Sequence, residues 1–381
     1  MIGNFEFHEV TKIYFGKSIL SESGRIIKTY ADNVLIITGK GSMRKNGFLT
    51  ILQDSLDNEG VKFITVEGIS PDPSSLEVQK IADIYKDKNI KAIVGLGGGS
   101  AIDAAKAIGA CIGDNIPIET FLADGVMPSS NALPIIAIPS TAGTSSELSK
   151  GAIITNSSKK LKQGLRGINV FPKAAIIDPE ITYSMPERVT ALTGFDVFCH
   201  ATETYISKKA NPITELFSLE AIKIVANTLP KLLNDLGNKK YRDEMVKASM
   251  LMGFNLANSS NCLPHRMQYP LGVFTSTSHQ DGLAALYPAW VEETFNDSKD
   301  KFLTILKILD NTIDYSKVDN ISAKMIIQKF LTKIRLHQTI SEMGVNISDI
   351  DMLAKGVEGS LEVDPGYNGS QTIVNILKNS L

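Results

Sequence analysis

The sequence predicts an α/β N-terminal domain built on a Rossmann-like parallel sheet, followed by an all-α C-terminal domain. Three observations carry that reading. Short, nearly all-apolar runs alternate with helical patterns from about residue 33 to 186, a glycine cluster follows one of those runs directly, and after Pro186 long helical periodicities take over.

The apolar runs fall at 33–38, 61–66, 90–95 and 133–138. Runs without polar alternation, separated by helices, mark parallel strands covered on both faces. The helical stretches of the second half include 213–233 and 300–309, with glycine and proline confined to the joints. Pro179 and Pro186 bracket a short irregular stretch, which sets the expected domains at 1–183 and 184–381.

Bulk properties narrow the function classes. A chain of 381 residues with 43% hydrophobic content can bury a sizeable core and exceeds the usual span of one domain. Lys and Arg total 39 against 41 for Asp and Glu, a net charge of −2 that offers no footprint for nucleic acid or an acidic membrane face. The expected partner is a small molecule. The first eight residues lack a basic start with an apolar run, and no stretch of 18 apolar residues occurs, so a cytoplasmic location is expected. Cys111, Cys199 and Cys262 are widely spaced and form no CxxC pair, which argues against a disulfide framework and a thiolate zinc site.

The glycine cluster is Gly95-Leu96-Gly97-Gly98-Gly99-Ser100, placed between a strand and the helical run 101–108. Without side chains, backbone N–H groups can approach a pyrophosphate closely, and the helix N-terminus adds partial positive charge. A ligand-free tight turn is the plainer reading, but four glycines in five positions exceed what a turn requires. No Gly-Lys-Ser/Thr follows, which disfavours a P-loop NTPase. A second small-residue loop, 139–147, carries Ser140, Thr141 and Thr144, suited either to phosphate, ribose or amide binding or to capping a helix before Glu147.

Five histidines occur in the chain. Asp196 and His200 lie four apart in a helical stretch, so both project from one face. His265 and His279 are separated by 13 residues containing Pro270 and Gly272, a spacing that can return the second beside the first. One carboxylate and three imidazoles suit Fe²⁺ or Zn²⁺, whereas a buried carboxylate–histidine pair serving only packing is the competing reading of Asp196 and His200. His8 and His337 stand alone and read as surface or structural residues.

These motifs together resemble the iron-containing (group III) alcohol dehydrogenases. The resemblance runs from Tyr14-Phe15-Gly16 through Pro71-Asp72-Pro73, Gly97-Gly98-Gly99-Ser100 with Asp103 and Lys106, the 139–147 loop, Asp178-Pro179 and Asp196-x3-His200 to His265-x13-His279. It covers essentially the whole chain. It implies a dinucleotide-binding domain, a helical metal domain of dehydroquinate synthase-like architecture, a catalytic cleft between them and a homodimer. It also implies Asp196, His200, His265 and His279 as metal ligands and Gly97, Gly98, Gly99 and Ser100 as the pyrophosphate loop. Asp103 would approach the nicotinamide, Ser140, Thr141 and Thr144 would lie along the cofactor, and Lys162 would lie near it.

Cofactor choice follows from the loop after the first of those strands. NAD-preferring relatives place a carboxylate there to accept from the adenine ribose, but residues 38–47 contain none, and Gly39, Lys40, Ser42 and Lys45 could hold a 2′-phosphate. This resembles the NADPH-using butanol dehydrogenase branch and favours NADP over NAD. Two departures border the expected substrate pocket: Tyr269 stands where many members carry a histidine, and Gln280 where the fourth ligand is usually followed by glycine. A phenol with an ordinary pKa of roughly 10 still donates a hydrogen bond but shuttles protons less readily than imidazole.

The expected activity is metal-assisted hydride transfer between NAD(P)H and a small alcohol, aldehyde or ketone, with Fe²⁺ as the metal and Zn²⁺ as the other candidate. A dehydroquinate synthase-like lyase or cyclase, and a degenerate cofactor-binding protein with little turnover, are the competing readings. Phe195, Phe198 and Phe274 either line an aliphatic pocket or belong to the core, which is the default for such residues.

Overall fold

A computed structural model describes residues 4–159 and 161–381, so the first three residues of the N-terminal stretch lie outside the described residues. The chain divides into two compact units, Glu9–Met185 and Pro186–Leu381, the latter joined by the N-terminal residues up to His8.

In the first unit the strands are β1 (Lys12–Phe15), β2 (Asn33–Gly39), β3 (Lys62–Ile69), β4 (Ala92–Gly97), β5 (Ile135–Pro139), β6 (Gly151–Asn156), β7 (Leu161–Arg166) and β8 (Ala174–Ile177). Six form a sheet in the order β1-β8-β5-β4-β2-β3, every pair parallel, and β6 and β7 form a separate antiparallel hairpin. Alternate residues of one strand serve opposite layers. Leu35, Ile37 and Ile93 pack with Ala104, Ala105 and Ile108 of the Gly99–Asp114 helix. Val34, Ile36, Val94 and Leu96 pack instead with Leu49, Leu52 and Leu56 of the Phe48–Asn58 helix. This two-sided burial is why these strands read as unbroken apolar runs.

β4 and β5 end later than their apolar runs suggest. The register pairs Gly97 with Pro139, so the ladder continues through Gly95 and the glycine turn opens only at Gly98. The β6–β7 hairpin, the edge strand β1 and β8 were not among the sequence-predicted runs; the burial of β1, β6 and β7 alternates or is partial, and β1 and β8 have four residues each.

The second unit contains only helices and turns among the described residues. Its centre is the Glu187–Ile206 helix, buried continuously from Phe195 to Ile206. Phe195 and Phe198 are fully buried, stack with each other and meet the Tyr287 ring at steep angles, so they belong to the core and not to a pocket wall. Phe274, by contrast, is 42% exposed. Gly194 is required by close approach: a Cβ there would lie 2.7 Å from Leu229 Cδ1. No helix among the described residues is long and apolar enough to cross a membrane.

Asp364 ties three elements together from a fully buried position. Its Oδ2 accepts from the Trp290 indole at 2.8 Å and from Leu263 N at 3.0 Å, and its Oδ1 accepts from Gly366 N at 2.9 Å. The Leu263 bond satisfies an orphan donor at the start of the Leu263–Thr275 helix, whose preceding residue supplies no side-chain cap. Asp364→Ala strands three buried donors and is expected to cost about 3–5 kcal/mol of stability. Urea denaturation of the two proteins side by side measures it, and a loss below about 1 kcal/mol contradicts this account.

Candidate metal and nucleotide sites

Asp196 and His200 sit one turn apart on the Glu187–Ile206 helix, His265 lies in the first turn of the Leu263–Thr275 helix, and His279 opens the His279–Thr294 helix. The structure brings all four together. Asp196 Oδ1 lies 3.3 Å from His200 Nε2, 3.6 Å from His265 Nε2 and 3.9 Å from His279 Nε2. Asp196, His265 and His279 each present a ligand atom within 4.8 Å of the others, and His200 stands just outside that mutual set.

The imidazoles are oriented from behind. His200 Nδ1 faces Asn261 Oδ1 at 3.2 Å, His265 Nδ1 faces Glu203 Oε1 at 2.7 Å, and His279 Nδ1 faces Gln268 Oε1 in a short contact. All three partners are oxygen acceptors, so each Nδ1 carries the proton and donates it. In the neutral ring the lone pair is then on Nε2, the atom turned toward Asp196. Glu203 is fully buried, and its other oxygen accepts from Cys262 N at 2.8 Å, fixing the approach to the helix that carries His265.

The electrostatics call for a cation. Asp196 Oδ1 and His265 Nε2 are buried polar atoms without a hydrogen-bond partner. Burial alone would raise the Asp196 carboxyl, but the facing His200, His265 and His279 rings outweigh it and hold the group well below the usual carboxylate range. Burial likewise opposes protonation of His265, yet Glu203 and Asp196 overcome it and lift the ring to about 9. Three imidazole nitrogens and one carboxylate oxygen are an N/O donor set that fits Fe²⁺ or Zn²⁺.

Several contributors escaped the sequence reading. Glu203 is three residues after His200 and Gln268 three after His265, helical spacings that put each beside a member of the cluster, and that was the available signal. Asn261 precedes its helix and carried no such signal. Gln280, read from sequence only as a departure bordering the expected substrate pocket, donates from Nε2 to Asp196 Oδ2 at 3.2 Å. Tyr269 lies beside the cluster, its ring 6.2 Å from that of His279 and inclined by 30°.

In the first unit, the strand order reverses between β2 and β4: β3 lies beyond β2 on one side, and β5, β8 and β1 beyond β4 on the other. The carboxyl ends of the strands at such a switch point form the crevice in which open α/β sheets bind nucleotides. Both predicted loops flank it. A Cβ on Gly99 would lie 2.6 Å from Thr144 Oγ1, and one on Gly98 3.5 Å from Thr141 Cγ2. Ser140 N donates to Gly97 O at 2.9 Å, so the glycine turn and the 139–147 loop are one assembly.

Ser100 Oγ accepts from Asp72 N at 3.2 Å, and Lys162 Nζ pairs with Asp72 Oδ2 at 3.0 Å, which links the Pro71-Asp72-Pro73 segment, the glycine turn and β7. Both oxygens of Asp103 are engaged: Oδ1 accepts from Ser146 Oγ in a short bond and Oδ2 from Ile153 N at 2.9 Å. Lys106 is fully buried, and its Nζ donates to the carbonyls of Ser146, Ser149 and Gly151 at 2.7, 2.9 and 2.7 Å. A cation thus anchors the loop from below.

Gly39, Lys40 and Ser42 lie at the end of β2, with Gly41 at φ +106° making the turn and Lys40, Ser42 and Lys45 exposed. Residues 38–47 contain no carboxylate, but β3 brings one in. Glu67 forms a two-pronged pair with Arg44, at 2.9 Å from Nε and 2.6 Å from Nη2 to Oε1.

Comparison with known proteins bears on both units. A family profile described as iron-containing alcohol dehydrogenase matches residues 10–179, and one for the C-terminal part of the Fe-containing alcohol dehydrogenase family matches residues 190–381. The chain is 27% identical to the NAD-dependent methanol dehydrogenase of Bacillus methanolicus over 96% of its own length and 97% of that protein's. It is 30% identical to the choline dehydrogenase of Bacillus subtilis, covering 92% of this chain and 88% of that one. An archaeal halo-thermophilic Red Sea brine pool alcohol dehydrogenase superposes with a TM-score of 0.93 at 29% identity over 100% of both chains.

Two outcomes test these sites. Glu203→Ala leaves His265 without its orienting acceptor and is expected to weaken divalent-ion binding about 10- to 100-fold, read by competition with a chromophoric chelator. In the nucleotide unit, burial raises Glu147 to about 7, well above its ordinary 4.5, despite the opposing Lys106 charge. Between those values the folded state holds more protons than the unfolded one, so this group's contribution to stability falls as pH rises from 4.5 to 7. Melting temperatures at pH 5 and 7.5 should therefore differ less in Glu147→Gln than in the parent chain, and an equal difference refutes the assignment.

Proposed function

The chain belongs to the iron-containing alcohol dehydrogenase family, and on that premise we propose that Asp196, His200, His265 and His279 hold its catalytic ion. It is an oxidoreductase of alcohols and aldehydes that works with a metal and a nicotinamide cofactor. The carrying observation for the ligand set is the buried Asp196 Oδ1, without a hydrogen-bond partner and faced by three imidazole Nε2 atoms at 3.3–3.9 Å. The lyase-like alternative is not favoured, because the matches along both halves are to alcohol dehydrogenases.

When bound, the ion supplies Lewis-acid polarisation of the substrate oxygen and the nicotinamide supplies or accepts the hydride. The protein residues do the holding and the orienting. Glu203, Asn261 and Gln268 keep the rings turned so that Nε2 faces inward. The Gly97–Ser100 turn, backed by Thr141 and Thr144, leaves backbone N–H groups open to a pyrophosphate, with Ser140 and Lys162 as further contacts. Tyr269, beside His279, is assigned a hydrogen bond to the substrate oxygen. Asp103 acts by anchoring the hairpin and the 139–147 loop against the nicotinamide end of the cofactor.

For the cofactor, the proposal is NADP in preference to NAD. Lys40, Ser42 and Lys45 are exposed at the end of β2, and the nearby Glu67 carboxylate is neutralised by Arg44. The Bacillus methanolicus relative is named as NAD-dependent, so this preference is a property argued from the loop of this chain alone. A small alcohol, aldehyde or ketone as substrate, divisions at 1–183 and 184–381, and a cytoplasmic homodimer complete the proposal.

The test is a reduction assay on short aldehydes with NADPH and NADH, before and after chelation. Activity should vanish on metal removal and return with Fe²⁺ or Zn²⁺, and kcat/KM should be higher with NADPH. Full activity in metal-free protein ends the metal assignment. A higher kcat/KM with NADH ends the NADP assignment alone.

A further inference from the structure

We propose that Gln280 is a positioning residue that fixes the rotation of the Asp196 carboxylate, holding Oδ2 aside so that Oδ1 alone faces the three imidazoles. The inference rests on the metal reading above and concerns a residue to which that reading gives no part.

The two oxygens of Asp196 have different surroundings. Oδ2 accepts from Gln280 Nε2 at 3.2 Å, whereas Oδ1 is buried without a hydrogen-bond partner and lies within 3.3–3.9 Å of the Nε2 atoms of His200, His265 and His279. A carboxylate turns readily about its bond to Cβ, since the torsion is broad and two-fold. Without a donor on one side, nothing in the cluster distinguishes one oxygen from the other. The amide supplies that distinction, because an N–H stabilises the oxygen it reaches and leaves the second as the acceptor turned to the centre.

Gln280 is itself held in place. It is the second residue of the His279–Thr294 helix, whose start is fixed by Ser278: the backbone N–H of Asp281 donates to Ser278 Oγ at 3.2 Å. The carbonyl of Asp281 accepts from Gln338 Nε2 at 2.9 Å, and its carboxylate pairs with Arg188. The turn carrying His279 therefore also carries the donor that orients Asp196, so one local structure sets two members of the donor set. The chemistry recognised is that of a divalent cation taking one carboxylate oxygen and three imidazole nitrogens.

Gln280→Met keeps the length and removes the donor, and Gln280→Ala removes the side chain. Each is loaded with Co²⁺, whose visible bands report ligand geometry, and titrated against a chromophoric chelator. The expected result is a Kd raised about tenfold or more in both variants, together with shifted Co²⁺ bands, at an unchanged melting temperature of the metal-free protein. A merely structural role would move the melting temperature and leave the bands in place. Unchanged Kd and bands in Gln280→Met, or in Gln280→Ala where the first variant fails to fold, overturn the inference. If the parent chain binds no Co²⁺ at all, it is the metal reading that falls.

Discussion

Four electron-pair donors pointing at one buried place are mutually repulsive unless a cation stands among them, and the second unit of this protein is organised around that repulsion. Asp196 Oδ1 and the Nε2 atoms of His200, His265 and His279 would drift apart if their side chains were free. They are not free. Asn261, Glu203, Gln268 and Gln280 each hold one of the four by its other polar atom. His265 is lifted toward protonation, against the cost of burial, by Glu203 behind it and Asp196 before it. The helix that carries Asp196 and His200 lies at the heart of the aromatic core, and Asp364 ties the helix of His265 to Trp290, so the cluster is held by the most deeply packed part of the unit.

The nucleotide unit solves the opposite problem with the same means. Its glycine turn carries no side chains at Gly97, Gly98 and Gly99, the very place where loops need anchoring. The anchors come from behind. Lys106, one turn beyond Asp103, reaches three carbonyls of the 146–151 segment, while Asp103 takes Ser146 and Ile153. The loss of water around these groups raises Glu147 and pulls Lys106 down to about 8, against the opposing charges of Asp103 and Glu147 on the lysine and of Lys106 on the glutamate.

What the sequence disclosed follows the range of each interaction. The helical spacing of Asp196 and His200 and the glycine cluster are local patterns, and both were legible. The three histidines of the cluster could be singled out because the chain has only five, and Asp196 by its helical spacing from His200. The donors and acceptors behind them were not named, because glutamine, asparagine and glutamate are common residues whose significance arises only from what the fold sets opposite them. The β6–β7 hairpin was missed for a related reason. Its partners are long-range, Ser74 and Pro73 among them, and its short strands lack the continuous apolar run that marks a strand covered on both faces.

The loop after β2 shows how a local reading can be incomplete. Residues 38–47 contain cations and no carboxylate, which by itself argues for a phosphate. The parallel register of β2 and β3 pairs Gly39 with Ile69 and so places Glu67 beside the same loop, where Arg44 captures it. The pair cancels one positive and one negative charge, leaving Lys40 and Lys45 as the exposed cations that argue for a 2′-phosphate. Glu67 on its own would repel that phosphate and accept from a ribose hydroxyl. The charge balance of the loop therefore depends on an ion pair between side chains 23 residues apart, and is a property of two strands, not of one.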